Sequence, residues 1–276
     1  MPAPSIPTRA LLPFFLIAFG LAWGLFALFL GFPEAITEVF GPLSAANPLF
    51  SLAVYAPAIA ALTVILAYAG PGSVVRFLKR LFLWRLPMTW VAFLVLAIPA
   101  IAIAGAALKG GPFGLVIPKE GTSALVGALL FMLVLGPVEE FGWRGVALPL
   151  LQRRMTPLAA GLLLGLAWAV WHLPAFFADG TPQSAWGILP FLLGATAASV
   201  IMVPMFNASR GSLLWAALFH FQLNNPLWPD GQPWDMYLYV AVAILVVALN
   251  WQTMTRRGDG ATRVLQPPSP SGPLDL

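Results

Sequence analysis

The stretch that decides the fold is SALVGALLFMLVLGPVEEFGWRGVALPLL, residues 123–151. Its only charged residues are Glu139, Glu140 and Arg144. The stretch is longer than the roughly 20 residues that a helix needs to cross a hydrocarbon core of about 30 Å. Because an ionisable side chain at such a depth costs about 2.5–3.5 kcal/mol on insertion scales, it indicates a functional site. The stretch therefore predicts a membrane-spanning helix that holds reactive groups.

The composition of the whole chain indicates the same class of protein. Hydrophobic residues make up 60% of the 276 residues and charged residues 9%, whereas a soluble domain carries roughly 25% charged residues. Apolar blocks recur along the chain and predict an all-α, polytopic membrane helix bundle of about eight transmembrane helices. The first block is too long for the apolar region of a signal peptide. The predicted spans are 10–31, 49–69, 88–108, 123–151, 157–177, 187–206, 211–225 and 236–253.

The basic residues test this count independently. With the N-terminus inside, the cytoplasmic segments hold eleven of the 14 Lys and Arg residues, and the outer loops hold only Lys109 and Lys119. Because Lys and Arg favour cytoplasmic loops, both termini are expected in the cytoplasm. The membrane is expected to be a bacterial plasma membrane. Short basic clusters between apolar blocks fit lipid headgroups rather than nucleic acid, so lipid is the expected partner.

The chain is predicted to form one membrane domain, residues 1–265. Residues 266–276 are rich in Pro and Ser and are expected to be a disordered C-terminal tail. There is no cysteine, which excludes disulfides, thiolate metal sites and a cysteine nucleophile.

The two histidines of the chain, His172 and His220, fall inside the fifth and seventh predicted spans. Residues four apart on a helix share a face, so Glu140 is expected to pair with Arg144. Glu139 is five residues from Arg144 and projects elsewhere, which leaves it free to accept a proton from water. Because these costly groups share three spans with both histidines, they predict one buried site.

Two further pairs have the spacing of four residues. His220 and Asn224 are expected to present both donors on one side of the seventh span, where they could hold a developing oxyanion. Trp168 precedes His172 by one turn and is expected to wall off its ring. Taken singly, an ion pair or a membrane histidine is more often structural, and Asn224 alone would be read as helix–helix contact.

The fourth span is expected to be kinked and tightly packed near its acidic pair. Pro137 removes a helical hydrogen bond just before the two glutamates. Gly142 and Gly145 permit close approach of neighbouring helices.

Three motifs occur in order: Glu-Glu-Phe-Gly-Trp-Arg at 139–144, Trp-Ala-Val-Trp-His at 168–172 and His-Phe-Gln-Leu-Asn at 220–224. They resemble the Glu-Glu-x-x-x-Arg, aromatic-x-x-x-His and His-x-x-x-Asn motifs of the CAAX protease and bacteriocin-processing (Abi) family of intramembrane endopeptidases. Trp168 stands where the family often has Phe. The resemblance covers about residues 120–230, which it identifies as the peptidase core.

The resemblance implies a role for each motif residue. Glu139 and His172 would hold and activate the attacking water. His220 and Asn224 would stabilise the tetrahedral oxyanion, and Glu140 with Arg144 would fix the site. The predicted boundaries place Glu139 about 12 residues, or about 18 Å, from the cytoplasmic end of its span and His172 some 15 residues into the next. This difference in depth would have to be removed by tilting or by shifted boundaries.

The participation of a metal stays open. The family carries a metalloprotease name, and Glu139, His172 and His220 would serve as three ligands of Zn²⁺ with water as the fourth. The alternative is a metal-free glutamate mechanism, which the His220–Asn224 pairing favours. The His-Glu-x-x-His helix of zinc proteases is absent from the sequence.

The predicted function is hydrolysis of a peptide bond near or within the membrane, with a peptide or protein substrate at the membrane as partner. A second class is a proton- or ion-coupled transporter in which buried Glu and His relay protons. That class would predict inverted repeats, and the sequence has no repeat at a fixed period. A third class is a catalytically inactive immunity or scaffold member of the same fold. The presence of every motif residue is evidence against this class.

Overall fold

A computed structural model of the chain describes residues 5–111, 113–117, 119 and 121–266. These described residues form helices and connecting loops, with no strand among them. The prediction of an all-α, polytopic helix bundle is confirmed. Six helices are long and apolar enough to cross a membrane, and two more are apolar but shorter. The eight are α1 (Thr8–Gly31), α2 (Pro48–Ala69), α3 (Met88–Leu108), α4 (Thr122–Gln152), α5 (Pro157–Phe177), α6 (Ile188–Ala208), α7 (Leu213–Leu223) and α8 (Trp234–Leu249).

The predicted ends of the spans agree with these bounds to within two residues, except at the end of α8. There a separate short helix, Trp251–Thr255, follows Asn250. Several starts are fixed by side-chain caps, which satisfy the free N–H groups of a first turn. Thr156 accepts a hydrogen bond from the backbone of Ala159 at 3.3 Å before α5. Ser212 accepts one from the backbone of Trp215 at 3.2 Å before α7.

Small residues let the helices approach closely, which is the main source of helix association in lipid. The helix α5 packs along α6, and α1 packs along α2. A side chain at Gly165 of α5 would overlap Ser199 and Thr196 of α6. A side chain at Gly194 of α6 would overlap Met236 of α8 in the same way.

The helix α4 is irregular where its charged residues lie. It is α-helical over Thr122–Leu135, forms a 3₁₀ turn over Pro137–Glu139 and a π turn over Trp143–Ala147. A side chain at Gly142 would overlap Pro57 of α2. The prediction of a tightly packed segment is confirmed, and the kink stays a prediction. Single π turns inside helices are frequent at functional sites.

The segments that contain most of the Lys and Arg residues lie at one end of the bundle, where polar contacts join them. This end is called the basic end. Arg153, just after α4, donates to the backbone oxygens of Ile6 at 2.6 Å and Thr262 at 3.0 Å. Arg80, between α2 and α3, donates to the backbone oxygen of Gly211 at 2.8 Å. The segments before α1 and after α8 therefore share an end with three loops, as the predicted topology requires.

The loops after α3 and α7 meet at the opposite end, where Lys109 pairs with Asp230 at 2.6 Å. The residues after α8 return to the basic end, where Ala261 donates to Asn207 at 3.0 Å. Residues 267–276, nearly all of the predicted disordered tail, lie outside the described residues. The division into a domain at 1–265 and a tail at 266–276 stays a prediction.

Candidate active site

A cavity of about 390 Å³ lies between the helices. Most of its wall is apolar and aromatic, and side chains from all three motifs line one part of it. These are Glu139 of α4, Trp168 and His172 of α5, His220 of α7, and Asn224 just after α7. The two other predicted site residues, Glu140 and Arg144, are fully buried at 0% exposure and do not line the cavity. The fold therefore brings the three separate motifs together at one place.

Glu140 is the centre of a closed cluster of charged and polar groups. Its Oε1 accepts a hydrogen bond from Nη1 of Arg144 at 3.0 Å and lies 2.6 Å from Nδ1 of His220. The guanidinium of Arg144 also lies over the ring of Trp168, 4.8 Å from its centroid, a cation–π contact. The predicted Glu140–Arg144 pair is present, and the contact with His220 extends it to α7. Because a buried charge needs a partner, this cluster holds α4 and α7 in register.

Glu139 lies in different surroundings although it is next in the chain. Its Oε2 accepts hydrogen bonds from the indole nitrogens of Trp168 at 2.8 Å and Trp143 at 3.3 Å. Among the described residues, none donates a hydrogen bond to its Oε1. The carboxylate is thus oriented by two neutral donors and keeps one oxygen available at the cavity. Among the described residues, Arg144 forms its ion pair with Glu140 and not with Glu139, in agreement with the spacing.

His172 lies at the point where α5 changes from an α-helix to a 3₁₀ turn. Its Nδ1 is 2.8 Å from the backbone oxygen of Trp168. A carbonyl oxygen only accepts, so Nδ1 carries the proton and Nε2 of the neutral ring carries a lone pair. Trp168 binds both Glu139 and His172, so the depth difference given by the predicted boundaries does not separate the two residues.

His220 and Asn224 converge on Gly136 of α4. A Cβ atom at Gly136 would lie 3.1 Å from Nε2 of His220 and would overlap Nδ2 of Asn224. The absent side chain therefore leaves room beside two nitrogens that can donate hydrogen bonds. The expectation that both donors face one side is met in this arrangement. Their role as an oxyanion site stays a prediction.

One side-chain atom of each candidate zinc ligand takes part in a hydrogen bond. Nδ1 of His220 is turned to Glu140, Nδ1 of His172 to a backbone oxygen, and one oxygen of Glu139 to two indoles. Across the described residues, no three His, Cys, Asp or Glu side chains are grouped closely enough to hold a metal ion. Participation of zinc stays a prediction, and no chemical step is derived through zinc below.

Two contacting residues were missed by sequence reasoning. Trp143 is four residues from Glu139, a spacing that could have revealed its hydrogen bond. Arg80 was counted only as a cytoplasmic charge, yet it is 6% exposed and donates to the backbone oxygens of Gly211 and Gly145, both at 2.8 Å. Burial lowers the pKa of Arg80 to about 9. Because Gly145 lies in the π turn of α4 and Gly211 precedes α7, Arg80 joins the two helices that carry Glu140 and His220.

These features define a membrane helix bundle with a buried carboxylate–histidine site. Residues 121–225 match the sequence model of a family described as type II CAAX prenyl endopeptidase Rce1-like. This segment contains all three motifs, so the resemblance inferred from them is confirmed as a similarity to that family.

A curated relative gives the same result. The chain is 30% identical to "CAAX prenyl protease 2" of Methanococcus maripaludis. The alignment covers 59% of this chain and 65% of the relative. The aligned part thus spans less than two thirds of the relative's length.

Proposed function

We propose that this protein is an intramembrane endopeptidase that hydrolyses a peptide bond within or beside the membrane. The observation that carries the proposal is the arrangement of Glu139, His172, His220 and Asn224 around one buried cavity. The family match over residues 121–225 and the name of the relative support the same class of reaction. The proposed chemistry uses only side chains of this chain.

The first step is activation of water by Glu139 and His172. The free oxygen of Glu139 and the lone pair on Nε2 of His172 are both acceptors. A water molecule between them donates one hydrogen to each, which turns its oxygen lone pair toward the substrate carbonyl. Glu139 takes the proton as the oxygen attacks, which is general base catalysis.

The second step is stabilisation of the tetrahedral intermediate by His220 and Asn224. The amide of Asn224 donates one hydrogen bond to the oxyanion. For Nε2 of His220 to donate the other, the ring must carry a proton on both nitrogens. In the proposed step the ring donates from Nδ1 to Glu140, 2.6 Å away, and from Nε2 to the oxyanion. Collapse of the intermediate then breaks the C–N bond, and Glu139 returns its proton to the leaving amine.

The proposal is tested with purified protein in liposomes and two reporter peptides. One is a farnesylated peptide ending in Cys-aliphatic-aliphatic-X, chosen from the name of the relative, and the other is an unlipidated transmembrane peptide. The parent protein is expected to cleave at least one of them. Glu139→Ala, His172→Ala and His220→Ala are each expected to lower the rate by about 100-fold or more. Glu38→Ala, at an exposed acid outside the cavity, is the matched control.

Two outcomes would overturn the proposal. Cleavage at the parental rate by all three variants would show that these residues do not carry the reaction. Failure of the parent to cleave either reporter, with proton-driven solute uptake into the same vesicles, would favour the transporter class instead. Metal analysis of the purified active protein, before and after dialysis against a chelator, tests the proposal that no metal is required.

We further propose that the basic end faces the cytoplasm, because Lys and Arg favour cytoplasmic segments. The chain has no cysteine, so single cysteines report on sidedness without background. Lys119→Cys is expected to react with an impermeant maleimide in intact cells. Arg85→Cys is expected to react only after the cells are opened, and the reverse pattern would contradict the proposed orientation.

A further inference from the structure

The loop between α7 and α8 forms a second polar part of the cavity wall. It begins at Asn224, beside the proposed catalytic groups, and leads toward the opposite end of the bundle, where Asp230 meets Lys109. Gln232 of this loop lines the cavity and is 5% exposed. Neither Oε1 nor Nε2 of its side chain has a hydrogen-bond partner among the described residues.

Two other amide side chains of the cavity wall, Asn225 and Gln222, hold the loop through hydrogen bonds of their own. Asn225 donates to Gln222 at 3.0 Å, and Gln222 donates to the backbone oxygen of Leu94 at 2.9 Å. The side-chain oxygen of Asn225 accepts from the backbone of Leu227 at 3.0 Å. Gln232 has no such internal role, although a buried amide without partners carries a full desolvation cost.

Two more buried polar atoms of the cavity wall lack partners among the described residues. They are Nε1 of Trp228, a donor, and Oε1 of Gln183, an acceptor. Together with Gln232 they give the cavity lining two donors and two acceptors without partners. Apolar side chains of α1 and α2, such as Phe26 and Phe50, contribute to the rest of the cavity lining.

We infer that Gln232, with Trp228 and Gln183, is a binding subsite for the main chain of the peptide substrate next to the bond that is cut. Each peptide unit offers one N–H donor and one C=O acceptor, and the amide of Gln232 offers the complementary acceptor and donor. An extended segment leaving the oxyanion site along this loop would present such units to all three side chains. The subsite recognises the peptide backbone rather than a particular side chain. This inference rests on the proposed peptidase function.

Binding is measured separately from cleavage so that the two proposals can fail independently. The host is the full chain with Glu139→Gln, in lipid nanodiscs, which blocks the proposed proton transfer while leaving the cavity intact. The probe is a fluorescent version of whichever reporter peptide the parent cleaves, and its affinity is measured by anisotropy. Gln232→Leu is expected to raise Kd about tenfold, as loss of two ordinary hydrogen bonds would. Gln252→Leu, at an exposed glutamine outside the cavity, is the matched control.

A set of peptides that are N-methylated at one residue each distinguishes recognition of the main chain from a structural role of Gln232. Methylation at the residue bound by Gln232 is expected to weaken binding to the host several-fold. The same peptide should bind the Gln232→Leu protein no worse than the unmethylated one does. Trp228→Phe is expected to weaken binding about threefold, since one donor is lost.

The outcomes separate the subsite from the catalytic proposal. An unchanged Kd for Gln232→Leu, or equal losses in both proteins for every methylated peptide, overturns the subsite even if Glu139 proves catalytic. If the parent neither binds nor cleaves either reporter, both proposals fall. If Gln232→Leu lowers thermal stability, the methylated peptides are tested on the Glu139→Gln protein alone. The subsite then requires that methylation at one position weakens binding more than methylation at the others.

Discussion

Glu139 and Glu140 are neighbours on α4, and their surroundings differ in almost every respect. Glu140 is fully buried between a guanidinium and an imidazole and does not itself line the cavity. Glu139 lines the cavity and is held only by two indole N–H groups. Consecutive residues on a helix point about 100° apart, so adjacent positions face different neighbours without any change in the chain.

The difference indicates a division of work. A carboxylate that pairs with both Arg144 and His220 is a structural anchor. A carboxylate that is oriented by neutral donors and has an oxygen facing the cavity can take up a proton there. Glu140 is therefore expected to matter for both stability and catalysis, and Glu139 for catalysis alone. The following predictions test this contrast, from the largest expected effect to the smallest.

Glu139→Gln removes the base and keeps an oxygen that can still accept from Trp168. The cleavage rate of the reporter peptide is expected to fall by about 10²–10⁴-fold, while the thermal midpoint of unfolding stays near that of the parent. The rate is followed by release of the labelled fragment. A rate within tenfold of the parental one would mean that Glu139 is not the base.

Glu140→Gln leaves Arg144 as a buried charge without its partner. Breaking such a pair on one side costs about 3–5 kcal/mol, which denaturant titration in detergent micelles would measure. The double variant Glu140→Leu with Arg144→Leu is expected to recover most of that stability without recovering activity. Equal stability of Glu140→Gln and Glu139→Gln would remove the contrast between the two carboxylates.

Gly136→Ala places a methyl group against Nδ2 of Asn224 and Nε2 of His220. Displacement of these donors is expected to lower kcat by about 100-fold, with the unfolding midpoint little changed. Gly127→Ala on the same helix is the matched control, because nothing lies within 4 Å of its Cβ position. If both alanine variants have equal kcat, the donors near Gly136 do not act on the reaction.

Trp168→Phe and Trp143→Phe each remove one donor to Glu139 and keep an aromatic ring. The bond from Trp168 is the shorter, 2.8 Å against 3.3 Å, so kcat is expected to fall about tenfold for Trp168→Phe and less for Trp143→Phe. The opposite order of the two effects would indicate that Trp143 is the main support.

Local sequence patterns predicted more of the fold than of the site. Apolar run lengths located the eight helices, because a backbone in lipid has to satisfy its hydrogen bonds within each segment. Spacing on one helix also predicted that Arg144 pairs with Glu140 and not with Glu139. The contact between Glu140 and His220 joins residues 80 apart in the chain, and no local pattern specifies which face of α7 meets α4.

Arg80 is a second residue whose contacts the sequence could not predict. In the sequence it is one of four basic residues in a loop, and its charge correctly placed that loop at the basic end. Its hydrogen bonds to Gly145 and Gly211 depend on the π turn of α4 and on the turn before α7. Both are tertiary features, so the sequence could not separate Arg80 from its neighbours in the loop.

The sequence by itself determined which residues carry the costly polar groups and which helices hold them, because hydropathy and helical spacing are properties of single segments. Only the tertiary structure decided that Glu139 lines the cavity while Glu140 is fully buried and does not line it. That choice follows from how α4, α5 and α7 pack, since each carboxylate takes the partners that neighbouring helices supply. The buried amide of Gln232 belongs to the same category: its lack of partners among the described residues is visible only once the loop after α7 is folded against the cavity.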